Sequence, residues 1–100
     1  MSYGVIVKVA APIQAYLASH AEVEKATGGK VPDGMLLHVA RATDGGFEIF
    51  EVWESKEASD KFNGEVVGPA VERTGVDMSG PAPDVIEFQP EGTMLGHAFA

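Results

Sequence analysis

The chain has 100 residues, of which 45% are hydrophobic, and this length suits a single domain, residues 1–100, with one hydrophobic core. It contains no cysteine, so disulfide bonds, thiolate metal sites and a cysteine nucleophile are excluded, and we expect a protein of the reducing cytoplasm. Fifteen acidic residues against seven basic ones give a net charge of −8, which makes nucleic acid and anionic membranes unfavourable partners. The N-terminus predicts neither a secretory signal nor a membrane-spanning helix.

The first half of the chain predicts a strand, a helix and a second strand. Residues 5–10 form a β-branched apolar run that Pro12 closes, because proline cannot donate a ladder hydrogen bond. From residue 13 the apolar residues recur at helical spacing until residues 27–29, Thr-Gly-Gly, where glycine permits a left-handed helix end. Residues 35–42 then predict the second strand.

The second half predicts a hairpin, a helix and a last strand. Residues 44–46, Asp-Gly-Gly, are typical of a tight hairpin turn that leads into a third strand over residues 47–54. The hydroxyl of Ser55 can cap the next helix, which we expect residues 68–69, Gly-Pro, to interrupt or kink. Residues 84–88 predict the fourth strand.

The order β-α-β-β-α-β is that of a ferredoxin-like α+β domain, in which right-handed crossovers place the first and third strands in the centre of an antiparallel sheet. Both helices then cover one face of the sheet. The other face would remain bare, and a monomer of this size rarely exposes so large an apolar patch. The pattern therefore predicts a homodimer formed through the sheet face.

Alternation along the strands divides the sheet residues into two sets. The wholly apolar set, which we expect to face the helices, comprises Val5, Val7, Val9, Met35, Leu37, Val39, Phe50, Val52, Ile86 and Phe88. The mixed set comprises Ile6, Lys8, Leu36, His38, Ala40, Ile49, Glu51, Trp53, Val85 and Glu87. We interpret the mixed set as an interface or as a pocket lining.

Residues 50–58, Phe-Glu-Val-Trp-Glu-Ser-Lys-Glu-Ala, followed by Phe62 and by Gly-Pro-Ala at residues 68–70, resemble the dimeric α/β-barrel superfamily. Within that superfamily they resemble the antibiotic-biosynthesis-monooxygenase-like proteins. The resemblance implies that two sheets pack face to face as a barrel and that a small organic molecule occupies a cavity in each subunit. It also suggests that Trp53 borders the cavity between sheet and helices, whereas alternation alone puts this residue in the mixed set.

Members of the superfamily include cofactor-independent monooxygenases, haem-degrading enzymes and isomerases, so the reaction type does not transfer with the resemblance. The haem-degrading branch needs an axial His in the second helical region and typically an Asn on the first strand. Residues 65–75 contain no His and the first strand contains no Asn. These absences argue against haem. The cofactor-independent branch implies that no other cofactor is needed, and we expect none.

His38 is the strongest catalytic candidate, because an imidazole set between Leu36 and Ala40 on a strand can exchange a proton near neutral pH. The alternative is a structural histidine bonded to a backbone carbonyl or across the dimer. His20, which shares a helix face with Tyr16, is a weaker candidate.

The other candidate site residues are polar or aromatic groups that could contact a ligand. Lys8 and Glu51 are predicted to share a face, where they could form a buried ion pair that orients a substrate or fixes the register of the barrel. Trp53 fits a core anchor as well as a stacking surface for an aromatic ligand. Asn63, Tyr16 and Glu87 could reach a cavity, and the three dispersed histidines predict no metal site.

Three functions follow from this sequence. The first is a cofactor-independent oxygenase or related enzyme, in which His38 deprotonates an aromatic or enolisable substrate. The second is a dimeric small-molecule-binding or accessory protein without turnover, and the third is a domain whose interface is its whole function. The apolar residues within the tail, residues 90–100, predict that this segment packs on the partner subunit through Leu95 and Phe99.

Overall fold

The computed structural model describes residues 2–75 and 80–94 of the chain. The elements are β1 (Tyr3–Val9), α1 (Ile13–Thr27), β2 (Met35–Thr43), β3 (Gly46–Trp53), α2 (Lys56–Phe62), a π-helical turn (Asn63–Val67), α3 (Gly68–Thr74) and β4 (Asp84–Phe88). The strands form one antiparallel sheet in the order β2-β3-β1-β4. This arrangement confirms the ferredoxin-like fold with β1 and β3 in the centre of the sheet. No helix within the described residues is both long enough and apolar enough to cross a membrane.

The helix ends follow the signals read from the sequence. Gly28 ends α1 in the left-handed conformation with φ 67°, which costs glycine little because it has no Cβ. Ser55 begins α2, and its hydroxyl oxygen accepts a hydrogen bond of 3.2 Å from the backbone N–H of Ala58. Both ends therefore lie where the sequence predicts them.

The expected break at Gly68-Pro69 is replaced by a π-helical turn. The backbone N–H of Gly68 bonds to the carbonyl of Asn63, five residues earlier, and Gly68 keeps helical dihedral angles. Pro69 lacks a backbone N–H, and the wider turn directly before it accommodates the missing donor. The backbone consequently remains helical from α2 through the π-helical turn into α3.

A two-residue turn, Asp44-Gly45, joins β2 to β3 and sets Thr43 opposite Gly46. A Cβ atom at Gly46 would overlap the carbonyl oxygen of Val9 on the neighbouring strand. Glycine is therefore required at Gly46 because the backbone of β1 approaches so closely.

Directly opposed residues of an antiparallel pair point to the same side of the sheet, so the register assigns the faces. Val5 of β1 lies opposite Glu51 of β3, and Glu51 lies opposite His38 of β2. Tyr16 of α1 contacts His38, so this face of the sheet is the one that the helices cover. A bulge between Met35 and Leu37 shifts the register at the start of β2.

The predicted division of the strand residues into two faces was wrong. The apolar residues of β1 were assigned to the same face as the apolar residues of the other strands, and the register shows that they lie on opposite faces. Val5, Val7 and Val9 face the helices together with the mixed set of the other strands, whereas Ile6 and Lys8 face away. Apart from Met35, the residues of β2, β3 and β4 that were expected beneath the helices instead form the open face. The open face carries Ile6, Leu37, Val39, Phe50, Val52, Ile86 and Phe88 together with a charged row of Arg41, Glu48, Lys8 and Asp84.

Apolar side chains are buried at both ends of β3, Phe47 near the hairpin and Trp53 at the last residue. Trp53 is fully buried and packs against Phe62 of α2, with their ring centroids 5.7 Å apart. Val5 and Ala70 are also buried. By contrast, α1 is described over its full length, Ile13–Thr27, and none of its residues is buried. The helices therefore do not seal the sheet, and a cavity remains between α1 and the strands.

Candidate active site

The centre of the site is a histidine and a glutamate that face each other on neighbouring strands. His38 of β2 and Glu51 of β3 occupy opposed register positions, and His38 Nδ1 lies 2.7 Å from Glu51 Oε2. An ionised carboxylate can only accept hydrogen bonds, so Nδ1 carries a proton and donates a hydrogen bond to Glu51 Oε2. This bond fixes the tautomer of the neutral ring and leaves the lone pair on His38 Nε2.

Helix α1 places a tyrosine hydroxyl against that lone pair. The Tyr16 hydroxyl lies 2.6 Å from His38 Nε2, and because Nε2 is unprotonated in the neutral ring, Tyr16 donates this bond. One turn further along α1, His20 Nδ1 lies 3.2 Å from the same hydroxyl. The rings of Tyr16, His20 and His38 are stacked, with centroids 5.4–6.0 Å apart.

The second carboxylate oxygen of Glu51 is held by a residue of the core. The indole N–H of Trp53 donates a hydrogen bond of 3.0 Å to Glu51 Oε1. Since Trp53 is fully buried, it fixes Glu51 from behind and does not itself form cavity surface. One continuous network therefore joins Trp53, Glu51, His38, Tyr16 and His20.

Tyr16 lies in the middle of this network, and its partial burial changes its pKa. Removal from water raises the pKa of Tyr16 above its usual value, and the negative charge of Glu51 raises it further. Tyr16 therefore keeps its proton at neutral pH and acts there as a hydrogen-bond donor. This protonation state agrees with the tautomer that Glu51 imposes on His38.

The network opens on a cavity of about 1480 Å³ between the helices and the sheet. Tyr16 and His20 line it from α1, His38 and Glu51 line it from the strands, and Asn63 lines it from the π-helical turn. Its floor is apolar and is formed by Val5, Val7, Val9, Phe47 and Ile49. Such a cavity, apolar with a few convergent polar groups, is typical of a site for a small organic ligand.

A second polar cluster lies on the cavity wall at β1 and β4. Lys56 Nζ is 3.2 Å from Glu87 Oε2, and a hydrogen bond from Tyr3 together with the Lys56 charge holds the Glu87 pKa below its usual value. Both side chains of the ion pair are half-exposed, so the pair adds little to stability. Sequence reasoning named Glu87 and missed Tyr3 and Lys56. Tyr3 lies two residues before Val5 on β1, so both side chains point to the same face of the sheet. This alternation was the signal that could have identified Tyr3.

The predicted site residues are placed unequally. Tyr16, His20, His38 and Glu51 come together, while Asn63 lies apart on the cavity wall, where its amide donates a hydrogen bond of 3.5 Å to the hydroxyl of Ser59. The structure describes no group of three or more histidine or acidic side chains placed to hold a metal ion.

The expected ion pair between Lys8 and Glu51 was wrong. Lys8 lies opposite Glu48 on the open face, whereas Glu51 lies opposite Val5 on the face beneath the helices. The correct partner of Glu51, His38, follows from the two-residue hairpin turn, because each step away from such a turn pairs equivalent positions of the two strands. That signal is present in the sequence, at Asp44-Gly45.

The chain matches no protein-family model and no curated protein sequence. Its fold is nevertheless that of the ferredoxin-like, antibiotic-biosynthesis-monooxygenase-like proteins. A protein from Chloroflexus aurantiacus that is named as an antibiotic biosynthesis monooxygenase aligns with a TM-score of 0.68 and 23% identity over 100% of both chains. The similarity confirms, for the fold, the resemblance carried by the strand-Trp-Glu-Ser-helix junction.

Two further solved structures with this fold are named as oxygenases. The monooxygenase from the gene ActVA-Orf6 of Streptomyces coelicolor, solved in complex with nanaomycin D, aligns with a TM-score of 0.54 and 21% identity over 96% of this chain and 92% of that chain. SnoaB of Streptomyces nogalater, a cofactor-independent oxygenase, aligns with a TM-score of 0.56 and 13% identity over 93% and 94% of the two chains. At these identities the likeness establishes a shared fold.

Proposed function

We propose that the protein is a small-molecule enzyme resembling cofactor-independent monooxygenases, and that its substrate is an aromatic or enolisable compound bound in the cavity of each subunit. The observation that carries this proposal is the Glu51–His38 pair at the wall of a large apolar cavity. The bond to Glu51 keeps His38 in the tautomer whose Nε2 is the basic nitrogen. Glu51 also stabilises the imidazolium that forms when the ring takes up a proton. The oxygenases among the structural neighbours support the same reaction class.

The proposed chemistry needs only the substrate, dioxygen and the proton held by the site. A proton leaves an activated C–H or phenolic O–H of the substrate, and His38 becomes an imidazolium paired with Glu51. The resulting carbanion forms a bond from carbon to dioxygen, which takes up the electron pair. The imidazolium then returns its proton to the terminal oxygen to give a hydroperoxide. Loss of water, which takes the remaining hydrogen of that carbon and the terminal oxygen, leaves a carbonyl that holds one oxygen atom.

Proton removal can be measured separately from oxygenation. Anthrone, an enolisable tricyclic ketone, is incubated without oxygen in D₂O, and loss of its methylene proton signal is followed by proton NMR. We expect the wild-type protein to accelerate the exchange and the His38→Gln variant to lose about 10²-fold or more of that acceleration. Equal exchange rates for wild type and variant would contradict the proposed base.

The second candidate function is a binding or accessory protein that uses the same cavity without turnover. One observation favours it: both ring nitrogens of His38 are bonded within the protein, as in a structural histidine. Binding of anthrone in a thermal-shift assay, combined with no acceleration of its exchange, would select this function. His38 faces the helices and not the open face, so an interface-only role receives no support from its position.

We also propose that the protein works as a homodimer through the open face. Across the sheet, the charged row of this face reads Arg41, Glu48, Lys8, Asp84, so positive and negative charges alternate from β2 to β4. A second copy turned about an axis parallel to the strands would place β4 against β2 and oppose each charge with its opposite. Light scattering at micromolar concentration should then give twice the 10.5 kDa chain mass.

A further inference from the structure

Both ring nitrogens of His38 are already occupied in the folded chain. Nδ1 donates to Glu51 at 2.7 Å and Nε2 accepts from the Tyr16 hydroxyl at 2.6 Å. A ligand in the cavity therefore meets the lone pair of His38 only after displacing Tyr16. The atom bonded to the Nε2 lone pair is the phenolic oxygen of Tyr16, a residue that lines the cavity.

We propose that Tyr16 is the catalytic residue that contacts the substrate, and that its hydroxyl relays the substrate proton to His38. This inference rests on the proposed function and names the atom at which proton transfer occurs. Glu51 and Trp53 act through His38 and are positioning residues. The relay gives a chemical role to Tyr16, a residue of α1 that the alternation along the strands does not identify.

The step balances with the groups in place. The substrate proton bonds to a lone pair of the Tyr16 oxygen while the original phenolic proton moves to His38 Nε2. The substrate becomes an anion, His38 becomes a cation, and Tyr16 ends the step neutral. Reversal of the same two transfers delivers a proton to the product.

Two features of the geometry support this direction of transfer. The bond from Tyr16 to His38, at 2.6 Å, is shorter than the 3.2 Å contact with His20, so the phenolic proton points to His38. The contact with His20 occupies one of the two lone pairs on the Tyr16 oxygen, and the second lone pair can accept a proton from a ligand. The groups that face the hydroxyl are His20, His38 and the carboxylate of Glu51.

Phenol ionisation does not compete with this relay at neutral pH. The pKa of Tyr16 is raised by burial and by the charge of Glu51, so the isolated phenolate is disfavoured. A concerted transfer avoids the phenolate, because the proton gained and the proton lost cross the same oxygen. Tyr16 therefore does not need a lowered pKa to work as a relay.

The test compares anaerobic exchange of anthrone by four proteins: wild type, Tyr16→Phe, His38→Gln and Thr27→Val. Phenylalanine keeps the ring of Tyr16 and removes only the hydroxyl. Thr27→Val is the matched control, since it removes a hydroxyl from the same helix at a residue outside the cavity lining. Tyr16→Phe should lose as much exchange as His38→Gln, about 10²-fold or more, while Thr27→Val keeps the wild-type rate.

Wild-type exchange by Tyr16→Phe, together with loss in His38→Gln, would overturn the relay and leave His38 as the direct base. A second readout needs no substrate: the nitrogen NMR signals of the His38 ring at neutral pH. Loss of the Tyr16 hydroxyl should move the Nε2 signal downfield, towards that of an unbonded imidazole nitrogen, and leave the tautomer unchanged. An Nε2 signal that is the same in wild type and Tyr16→Phe would refute the relay even if anthrone is not exchanged, whereas a shifted signal without exchange counts against the proposed function alone.

Discussion

The open face of the sheet gives the sharpest test of assembly, and the perturbation is Ile86→Glu. Ile86 is 44% exposed in the single chain, so a glutamate there should leave the folded monomer intact. Its neighbour on β4, Val85, is 57% exposed but points to the helix side. Val85→Glu is therefore a matched control, because it places the same charge on the same strand and on the opposite face.

The magnitude follows from the apolar surface that the fold leaves uncovered. Four side chains of the open face, Leu37, Val39, Ile86 and Phe88, keep between 37% and 48% of their surface exposed. Full burial of one such side chain is worth about 1.5–3 kcal/mol, so covering the uncovered parts in both copies would contribute about 5–10 kcal/mol. Association costs about 4–15 kcal/mol, which leaves a narrow balance for this surface alone.

A narrow balance makes the dimer sensitive to one buried carboxylate in each copy. In a dimer of the Ile86→Glu variant, each copy loses the contribution of the Ile86 side chain. Burial of the new carboxylates adds a desolvation penalty of several kcal/mol. We expect Kd to rise by about 10³-fold or more, measured by sedimentation velocity over a concentration series, with Val85→Glu close to wild type. Equal Kd values for wild type and Ile86→Glu would refute assembly through this face.

The remaining predictions concern the core, pH dependence and the tail. Trp53→Phe removes the indole donor from Glu51 and should lower the free energy of unfolding by about 1.5–3 kcal/mol in urea titrations followed by circular dichroism; an unchanged value would contradict the bond. The raised pKa of Tyr16 means that the unfolded chain loses this proton first, so stability should fall as pH rises above about 10, and Tyr16→Phe should flatten that fall in urea titrations across this range. Leu95 and Phe99 lie outside the described residues, and their packing on the partner subunit stays a prediction: truncation after Pro90 should weaken the dimer in light scattering, and an unchanged dimer would contradict it.

The fold could be read from the sequence because its signals are local. Apolar runs, the glycines at the end of α1 and the Ser55 cap each depend on neighbours within a few positions, and all of them act as predicted. The pairing of His38 with Glu51 was also accessible, since it follows from a two-residue turn. The faces of β1 were not, because its register against β3 is set by contacts between residues distant in sequence.

The contact between Tyr16 and His38 belongs to the part that the sequence does not encode locally. Helical spacing predicts that Tyr16 and His20 share a side of α1, but the strand residue beneath them depends on how the helix lies across the sheet. That position is determined by packing of α1 against α3 and β3. The sequence therefore predicts which residues form the network. The hydrogen bonds that connect them can be read only from the three-dimensional structure.

The last prediction uses the two acidic residues of β3 that point to opposite faces. Glu48 is 6% exposed, pairs with Arg41 and lies opposite Lys8 on the open face, whereas Glu51 holds His38 beneath the helices. Glu48→Gln removes a charge from the alternating row and should weaken the dimer while the nitrogen signals of His38 stay unchanged. Glu51→Gln should change those nitrogen signals, because an amide can also donate and no longer imposes one tautomer, while the dimer is retained. If either substitution altered both the dimer and the His38 signals, the division of this strand into an assembly face and a chemical face would be wrong.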